Sequence, residues 1–437
     1  MLSLIEARTS ARKLTVRACA ALALALPMDA LAAAPMRSAD FIDSIGVQTH
    51  LSFAGTTYTR LDKVLEAFKF LGILRARDRV PDPRGPSAFG ARATVLLGRA
   101  GIKFNLTIRA GHQPQAVIEI LRAIEREAPG TVASLEGYNE INHQKVNFDG
   151  MSGIRGAAAG QAAFYQAIKS DPDFAKLPVF NLTGIDMVSD PNFPFGQTLE
   201  GYADYANLHY YPQNGHQPDR WIRDNFAPGY KLAFPFPKVI TEFGYFTIPQ
   251  SGWNFIGVDE ATQAKGIVNG IFDAARAGFA RIYIYELLDQ KKDPANTERE
   301  SHFGLFNADF APKPSAQALA NTISVLSDRS GNATSFETKP LGVQVGASAT
   351  ELKTFLMQKS NGSYVLAAWR EPPFWDRARG QPIVAPPQDF RLKFEKPFGR
   401  LNVYDPIQSR EPIAKRVDTD AIDVAVSDHV VLVELVP

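Results

Sequence analysis

Two glutamates frame the chemistry open to this 437-residue chain. Glu140 lies in Gly137-Tyr138-Asn139-Glu140-Ile141-Asn142-His143 and Glu242 in Ile240-Thr241-Glu242-Phe243-Gly244-Tyr245, each where a β-rich apolar run gives way to polar and aromatic residues. Charged residues are rare where a strand leaves a core, so the two belong together in any reading. Paired carboxyl groups facing one cleft are the minimal machinery for breaking a glycosidic bond: one protonates the leaving oxygen, the other attacks the sugar or activates water. Taken singly, either glutamate is as well explained by a solvated or salt-bridged strand end. Glu286, in Tyr283-Ile284-Tyr285-Glu286-Leu287-Leu288-Asp289, competes for either role, although a hydroxyl-binding or structural part suits it better.

Other strand ends carry groups that could hold a sugar. Asn207-Leu208-His209-Tyr210-Tyr211-Pro212 supplies a histidine and two tyrosines. Tyr210, Tyr245, Tyr285, Trp253 and Phe255 follow apolar runs and could stack on pyranose faces, though loop packing is the commoner fate of a single aromatic. His50 and His143 could hydrogen-bond sugar hydroxyls or serve as structural histidines. Arg77 is the candidate cation beside a nucleophile, with a salt bridge to Asp78 or a contact at the rim as its alternative. A protonated acid and an ionised nucleophile at one pH need different surroundings, and tyrosine, histidine and arginine neighbours can supply them.

The elements that would position these residues follow one theme between about residues 40 and 325: a β-rich run, a polar loop, then a stretch with helical spacing. Strands are predicted at 45–48, 72–76, 102–108, 134–138, 179–182, 205–209, 238–241 and 281–285, and helices most clearly at 61–70, 115–127, 157–169, 262–277 and 315–326. Eight β-plus-α units fit a (β/α)8 barrel over 40–328, whose active site gathers at the C-terminal ends of its strands. An open doubly wound sheet is the alternative, but it favours a Gly-rich phosphate turn after the first strand, where Gln48-Thr49-His50-Leu51-Ser52 stands. After Arg329, alternating runs at 352–357, 363–369, 390–394, 401–404 and 430–436 predict an antiparallel β-sandwich over 331–437, with 371–388 a long loop inside it.

The order and spacing of these motifs resemble the large clan of retaining (β/α)8-barrel glycoside hydrolases, and within it the family 39-like bacterial exopolysaccharide endoglycosidases of the PslG type. The residues that carry the resemblance are Ile45-Gly46-Val47-Gln48-Thr49-His50, Leu71-Gly72-Ile73 through Arg77-Asp78, Asn139-Glu140, His209-Tyr210-Tyr211, Thr241-Glu242-Phe243-Gly244, and Phe303-Gly304-Leu305-Phe306 through Lys313-Pro314. The resemblance covers about residues 40 to 437. It implies Glu140 as general acid/base and Glu242 as nucleophile, with Asn139 on the sugar 2-hydroxyl and His209 and Tyr211 flanking Glu242. One departure is plain: Tyr285-Glu286 stands where the family often has a tryptophan. A carbohydrate-binding barrel without turnover and a transglycosylase are the alternatives from other classes.

Composition narrows the rest. Lys plus Arg total 47 against 46 Asp plus Glu, so no net field recruits nucleic acid. Arg8, Arg12, Lys13 and Arg17 precede an apolar run and small residues, which reads as a signal peptide over 1–32 cleaved after Ala32. Its removal takes away the single cysteine, Cys19, and with it thiolate chemistry, and changes the formal charge from +1 to −1. The expected product is periplasmic or secreted, without a membrane anchor, monomeric, and partnered only by a poly- or oligosaccharide. No cofactor and no metal are expected, since no His-Glu-x-x-His pair, Asp-rich calcium loop, Gly-x-Ser-x-Gly elbow or phosphate-binding Gly-x-x-x-x-Gly-Lys occurs.

Overall fold

A computed structural model of the chain describes residues 35–83, 88–184, 199–220, 222, 236–249, 256–346 and 351–437. The expected signal peptide and Trp253 and Phe255 lie outside the described residues. Among the described residues no helix is long and apolar enough to cross a membrane.

Eight short parallel strands form the first sheet: β1 Ile45–Gln48, β2 Arg75–Arg79, β3 Lys103–Thr107, β4 Val132–Glu136, β5 Val179–Phe180, β6 Ala206–Tyr210, β7 Lys238–Phe243 and β8 Arg281–Ile284. Their spatial order runs β5-β4-β3-β2-β1-β8-β7-β6, sequential around a circle. The seam between β5 and β6 is closed by a parallel bridge from Phe180 to Tyr205 and by Asn181 N–H donating to the Tyr205 carbonyl at 3.0 Å. This is the (β/α)8 barrel, not the doubly wound sheet, in which the first and last strands do not meet.

Helices α1 Leu61–Leu71, α2 Ala88–Arg99, α3 Pro114–Glu127, α4 Ile154–Ser170, α5 Glu260–Arg276 and α6 Pro314–Leu326 cover the sheet. In α1, Val64, Ala67, Phe68 and Leu71 recur at the helical period and are buried, and Gly72 at φ 73° ends it in the left-handed conformation. Helix α2 has a weaker signature because Gly90 and Gly98 interrupt it. Both are packing glycines, with no room for a Cβ against Ser52 and Thr131 respectively. Strand β2 begins three residues later than predicted, since Arg-Ala-Arg-Asp-Arg lacks the apolar character of a barrel strand.

The C-terminal region is built from β9 Val343–Val345, β10 Lys353–Gln358, β11 Tyr364–Trp369, β12 Gln388–Tyr404, β13 Pro412–Val426 and β14 Val431–Val436. Its strands pair antiparallel, apart from Met36–Arg37, which adds parallel to β10. The predicted runs 390–394 and 401–404 are two halves of the single strand β12, one half pairing with β9 and the other with β14. The pairing of β12 with β13 breaks register between Lys393 and Phe398. A continuous sheet thereby folds over its own core, where Leu356, Leu366 and Val433 share one apolar cluster with Leu392, Phe394 and Val424. Another cluster runs from the barrel into this sheet: Trp369 packs on Phe272 of α5 at 5.9 Å, and Phe355 on Phe41 at 5.8 Å.

Candidate active site

Side chains alternate along a strand, so one face of each barrel strand points outward to the helices and the other into the barrel. On β2, Ala76 faces the helices and Arg77 the interior, where its five N–H donors are all spent. Nε and Nη2 donate to the two oxygens of Glu136 at 2.8 and 2.7 Å. Nη2 also donates to Asn139 Oδ1 at 2.8 Å, and Nη1 to Gln48 Oε1 at 2.7 Å and Glu242 Oε1 at 2.6 Å. Arg77 is 3% exposed, and its carboxylate partners more than offset the burial that would lower its pKa. It is neither paired with Asp78 nor at the rim: Asp78 accepts from Thr49 Oγ1, Leu51 N–H and Arg79 N–H.

Glu136 is the residue that motif reading missed. It is fully buried inside β4, where Asn105 Nδ2 and Thr241 Oγ1 also donate to it. A carboxylate that ends a strand inside the barrel, with no access to water, demands a buried cation, and that demand was the available signal.

The two leading glutamates converge on one histidine. Glu242, at the end of β7, has Oε1 on Arg77 and Oε2 receiving the Tyr211 hydroxyl at 2.5 Å. His209 Nδ1 lies 3.0 Å from Glu140 Oε1 and 3.3 Å from Glu242 Oε2. Its Nε2 lies 3.3 Å from Thr183 Oγ1 and 3.4 Å from Arg77 Nη2, and a hydrogen on Nδ1 gives the ring a donor toward the two carboxyls. Glu140 sits at φ 42°, a backbone costly for a residue with a Cβ, and Thr183 holds the turn by accepting the Glu140 N–H at 3.1 Å. Burial raises the Glu140 carboxyl pKa, but the hydrogen bond from His209, followed by the potential of Arg77 and His143, outweighs it and leaves the value below the ordinary one.

The remaining candidates divide. Asn139 is drawn in by Arg77, and His143 is exposed on the loop that follows Glu140. Tyr285 packs edge-on to His50 at 5.5 Å and to Tyr211 at 6.0 Å, and its hydroxyl donates to Glu300. Glu286 is fully buried, receiving Tyr58 OH at 3.0 Å and Gln290 Nε2 at 3.1 Å; burial pushes its pKa well up. His50 Nε2 lies 3.2 Å from Glu286 at an angle that makes no hydrogen bond, and burial holds His50 neutral with a pKa of about 4. Tyr210 and Tyr245 are not brought to the cleft. Strand alternation turns Tyr210 outward against Phe243, with its hydroxyl on the Pro218 carbonyl, while Tyr245 is packed on Phe243 and Phe374 with its hydroxyl on the His216 carbonyl.

Glu140, His209 and Glu242 each offer a ligand atom within 4.8 Å of the others, the group on this cleft that could hold a cation. Such an ion would have to displace the hydrogen from His209 Nδ1. As it stands, the arrangement is a carboxylate fixed by a guanidinium and a phenol, facing a second, part-exposed carboxyl across an imidazole.

No protein-family model and no curated protein matches the chain. Solved structures do match it. A glucosidase from Croceicoccus marinus is 13% identical over 90% of this chain and 95% of that one, with a TM-score of 0.56. A monomeric β-xylosidase from Caulobacter crescentus CB15 is 16% identical over 93% and 98%, at 0.55. The catalytic domain of the GH30 xylanase C from Talaromyces cellulolyticus is 10% identical over 94% and 99%, at 0.53. At these identities the likeness establishes a common fold, the barrel together with its C-terminal sheet.

Proposed function

We propose that this protein is a retaining glycoside hydrolase, exported to the periplasm or beyond, that cleaves a bacterial exopolysaccharide or an oligosaccharide. The observation that carries the reading is the convergence of Glu140 and Glu242 on His209 Nδ1, with an oxygen of each within 4.8 Å of the other. Two carboxyl groups with oxygens this close face one cleft, as the roughly 5–5.5 Å spacing of a retaining pair requires. The sugar-cleaving activities of proteins of the same fold, a glucosidase, a β-xylosidase and a xylanase, support it.

In this mechanism Glu242 attacks the anomeric carbon, the glycosidic C–O bond breaks, and the leaving oxygen takes the Glu140 proton. Water then attacks the glycosyl-enzyme, gives its proton to Glu140 and frees Glu242. Arg77 and Tyr211 orient the nucleophile, and Arg77 holds Asn139 toward the sugar. The His209 hydrogen bond is the main influence that holds the Glu140 carboxyl below the ordinary value, so a weaker bond in the substrate complex favours the protonated acid.

The test is release of reducing ends from a panel of bacterial exopolysaccharides and aryl glycosides, with the anomer of the first product followed by NMR. A retained anomer from the wild type and loss of turnover in both Glu140→Gln and Glu242→Gln are the expected result. An inverted product, or turnover unaffected by either variant, would overturn it. Adding an acceptor sugar separates hydrolysis from transglycosylation.

A further inference from the structure

Arg77 and Arg79 are two residues apart on β2 and therefore lie on the same, inward face. At the rise of a strand, Arg79 stands about 7 Å nearer the C-terminal mouth than Arg77. Their circumstances are opposite. Arg77 has spent all five donors, whereas among the described residues the part-buried Arg79 guanidinium makes no ion pair and no side-chain hydrogen bond. Its one close partner is the ring of Phe53, with Cζ 5.0 Å from the centroid. A ring face covers one side of a guanidinium and accepts none of its in-plane N–H groups.

The surroundings deepen this imbalance. Asp78, next in sequence, has its carboxylate taken by Thr49 Oγ1, Leu51 N–H and the Arg79 backbone N–H. Thr107, the partner of Arg79 in the β2–β3 register, is 3% exposed and its hydroxyl has no hydrogen-bond partner. Arg109, two residues further on, is exposed and adds like charge that, after burial, lowers the Arg79 pKa. Phe53 stacks on His50 at 4.5 Å, and His50 meets Tyr285 at 5.5 Å, so the guanidinium belongs to the wall that adjoins Glu286 and the cleft. The Asp78 carboxylate attracts the guanidinium but accepts none of its in-plane N–H groups, and part-buried donors left unmatched are costly unless an anion arrives with a ligand.

Resting on the glycosidase reading, we infer that the substrate is an acidic glycan, and that Arg79, with Arg109 beside it and the Thr107 hydroxyl below, binds a sugar carboxylate at the barrel mouth. The planar fork of Arg79 matches a carboxylate through two parallel N–H bonds. A neutral glycan leaves those donors unmatched.

Affinity electrophoresis tests this without requiring turnover. The wild type is run through gels containing alginate, polygalacturonate, gellan or hyaluronate, each native and carboxyl-reduced. For at least one pair, retardation by the native form should exceed that by the reduced form at least about tenfold, fall to near equality in Arg79→Gln, and be partly retained in Arg79→Lys. Equal retardation in every pair, or a preference unchanged in a folded Arg79→Gln, would overturn the inference. If Arg79→Gln does not fold, Arg109→Gln takes its place, with a weakened carboxylate preference expected and an unchanged one counting against. Reducing-end release from the same glycans judges the glycosidase reading separately: carboxylate-dependent retention without any cleavage would strike that reading and leave the acidic-glycan site standing.

Discussion

Arg77 and Glu136 form a two-pronged ion pair, 2.8 and 2.7 Å long, with neither side chain more than 3% exposed. Through it, a carboxylate that never meets the cleft sets the angle at which the guanidinium presents its other edge to Glu242 and Asn139.

Glu136→Gln should therefore act in two ways. Removing one partner of a buried pair costs about 3–5 kcal/mol, read by chemical unfolding. In the folded fraction kcat should fall more than KM changes, because Glu242 is misaimed while sugar contacts persist. An intact kcat per folded molecule would show that Arg77 holds its position without Glu136.

Leaving-group dependence separates the two cleft carboxyls. Glu242→Ala should abolish turnover of every substrate and be partly restored by azide entering from the opposite face. Glu140→Ala should be most damaging for poor leaving groups such as sugars. With activated aryl leaving groups its first step survives and deglycosylation limits, giving low kcat with lowered KM. Equal losses on both substrate types would mean that the roles are misassigned.

Stability should fall on the alkaline side of neutrality because of His429. Its Nδ1 lies 2.8 Å from Asp428 and its Nε2 3.1 Å from Asp405, and these carboxylates overcome burial to raise its pKa from 6.5 to about 8. A raised folded value means the stabilisation is complete below about pH 6.5 and lost as pH rises through about 8, roughly 2 kcal/mol in all. Asp405 and Asp428 are shifted down by the same partner, so their share is lost instead as pH falls below the ordinary carboxylate range. Unfolding free energies at pH 6 and pH 9 should differ in the wild type by about this amount and much less in His429→Gln.

Trp369→Ala should destabilise barrel and C-terminal sheet together. The indole is fully buried against Phe272 and donates to Asp273 of α5 at 3.1 Å, so its loss leaves a cavity worth about 3–5 kcal/mol between the two parts. Calorimetry should show one transition at lower temperature. Two separated transitions would mean that the shared core does not couple them.

The barrel was legible because apolar runs end at each polar cluster, and seven of its strands fall within two residues of where periodicity puts them; β2 is the exception, with arginines inside that pair with Asp43, Glu136 and Glu242. The convergence of Glu140, His209 and Glu242 was anticipated in identity but not in the histidine's bridging of both carboxyls, which depends on the turn at Glu140. Adjacency alone draws Tyr210 and Tyr245 toward the cleft, whereas a period of two separates Tyr210 from His209. Strand β13 escaped notice because its first half, from Pro412, is exposed and charged. Exposure on that half removes the alternation from which a strand is read.

The two-residue strand Met36–Arg37 pairs with Met357 and Gln358, more than three hundred positions later in the chain. During synthesis this segment precedes β1, and its hydrogen-bonding partner follows the whole barrel. The edge of β10 thus stays open until two segments from opposite sides of the barrel sequence meet, a slow, long-range closure. An expression product trimmed to start at the barrel would leave that edge permanently uncovered, inviting β10 of a neighbouring molecule to pair with it.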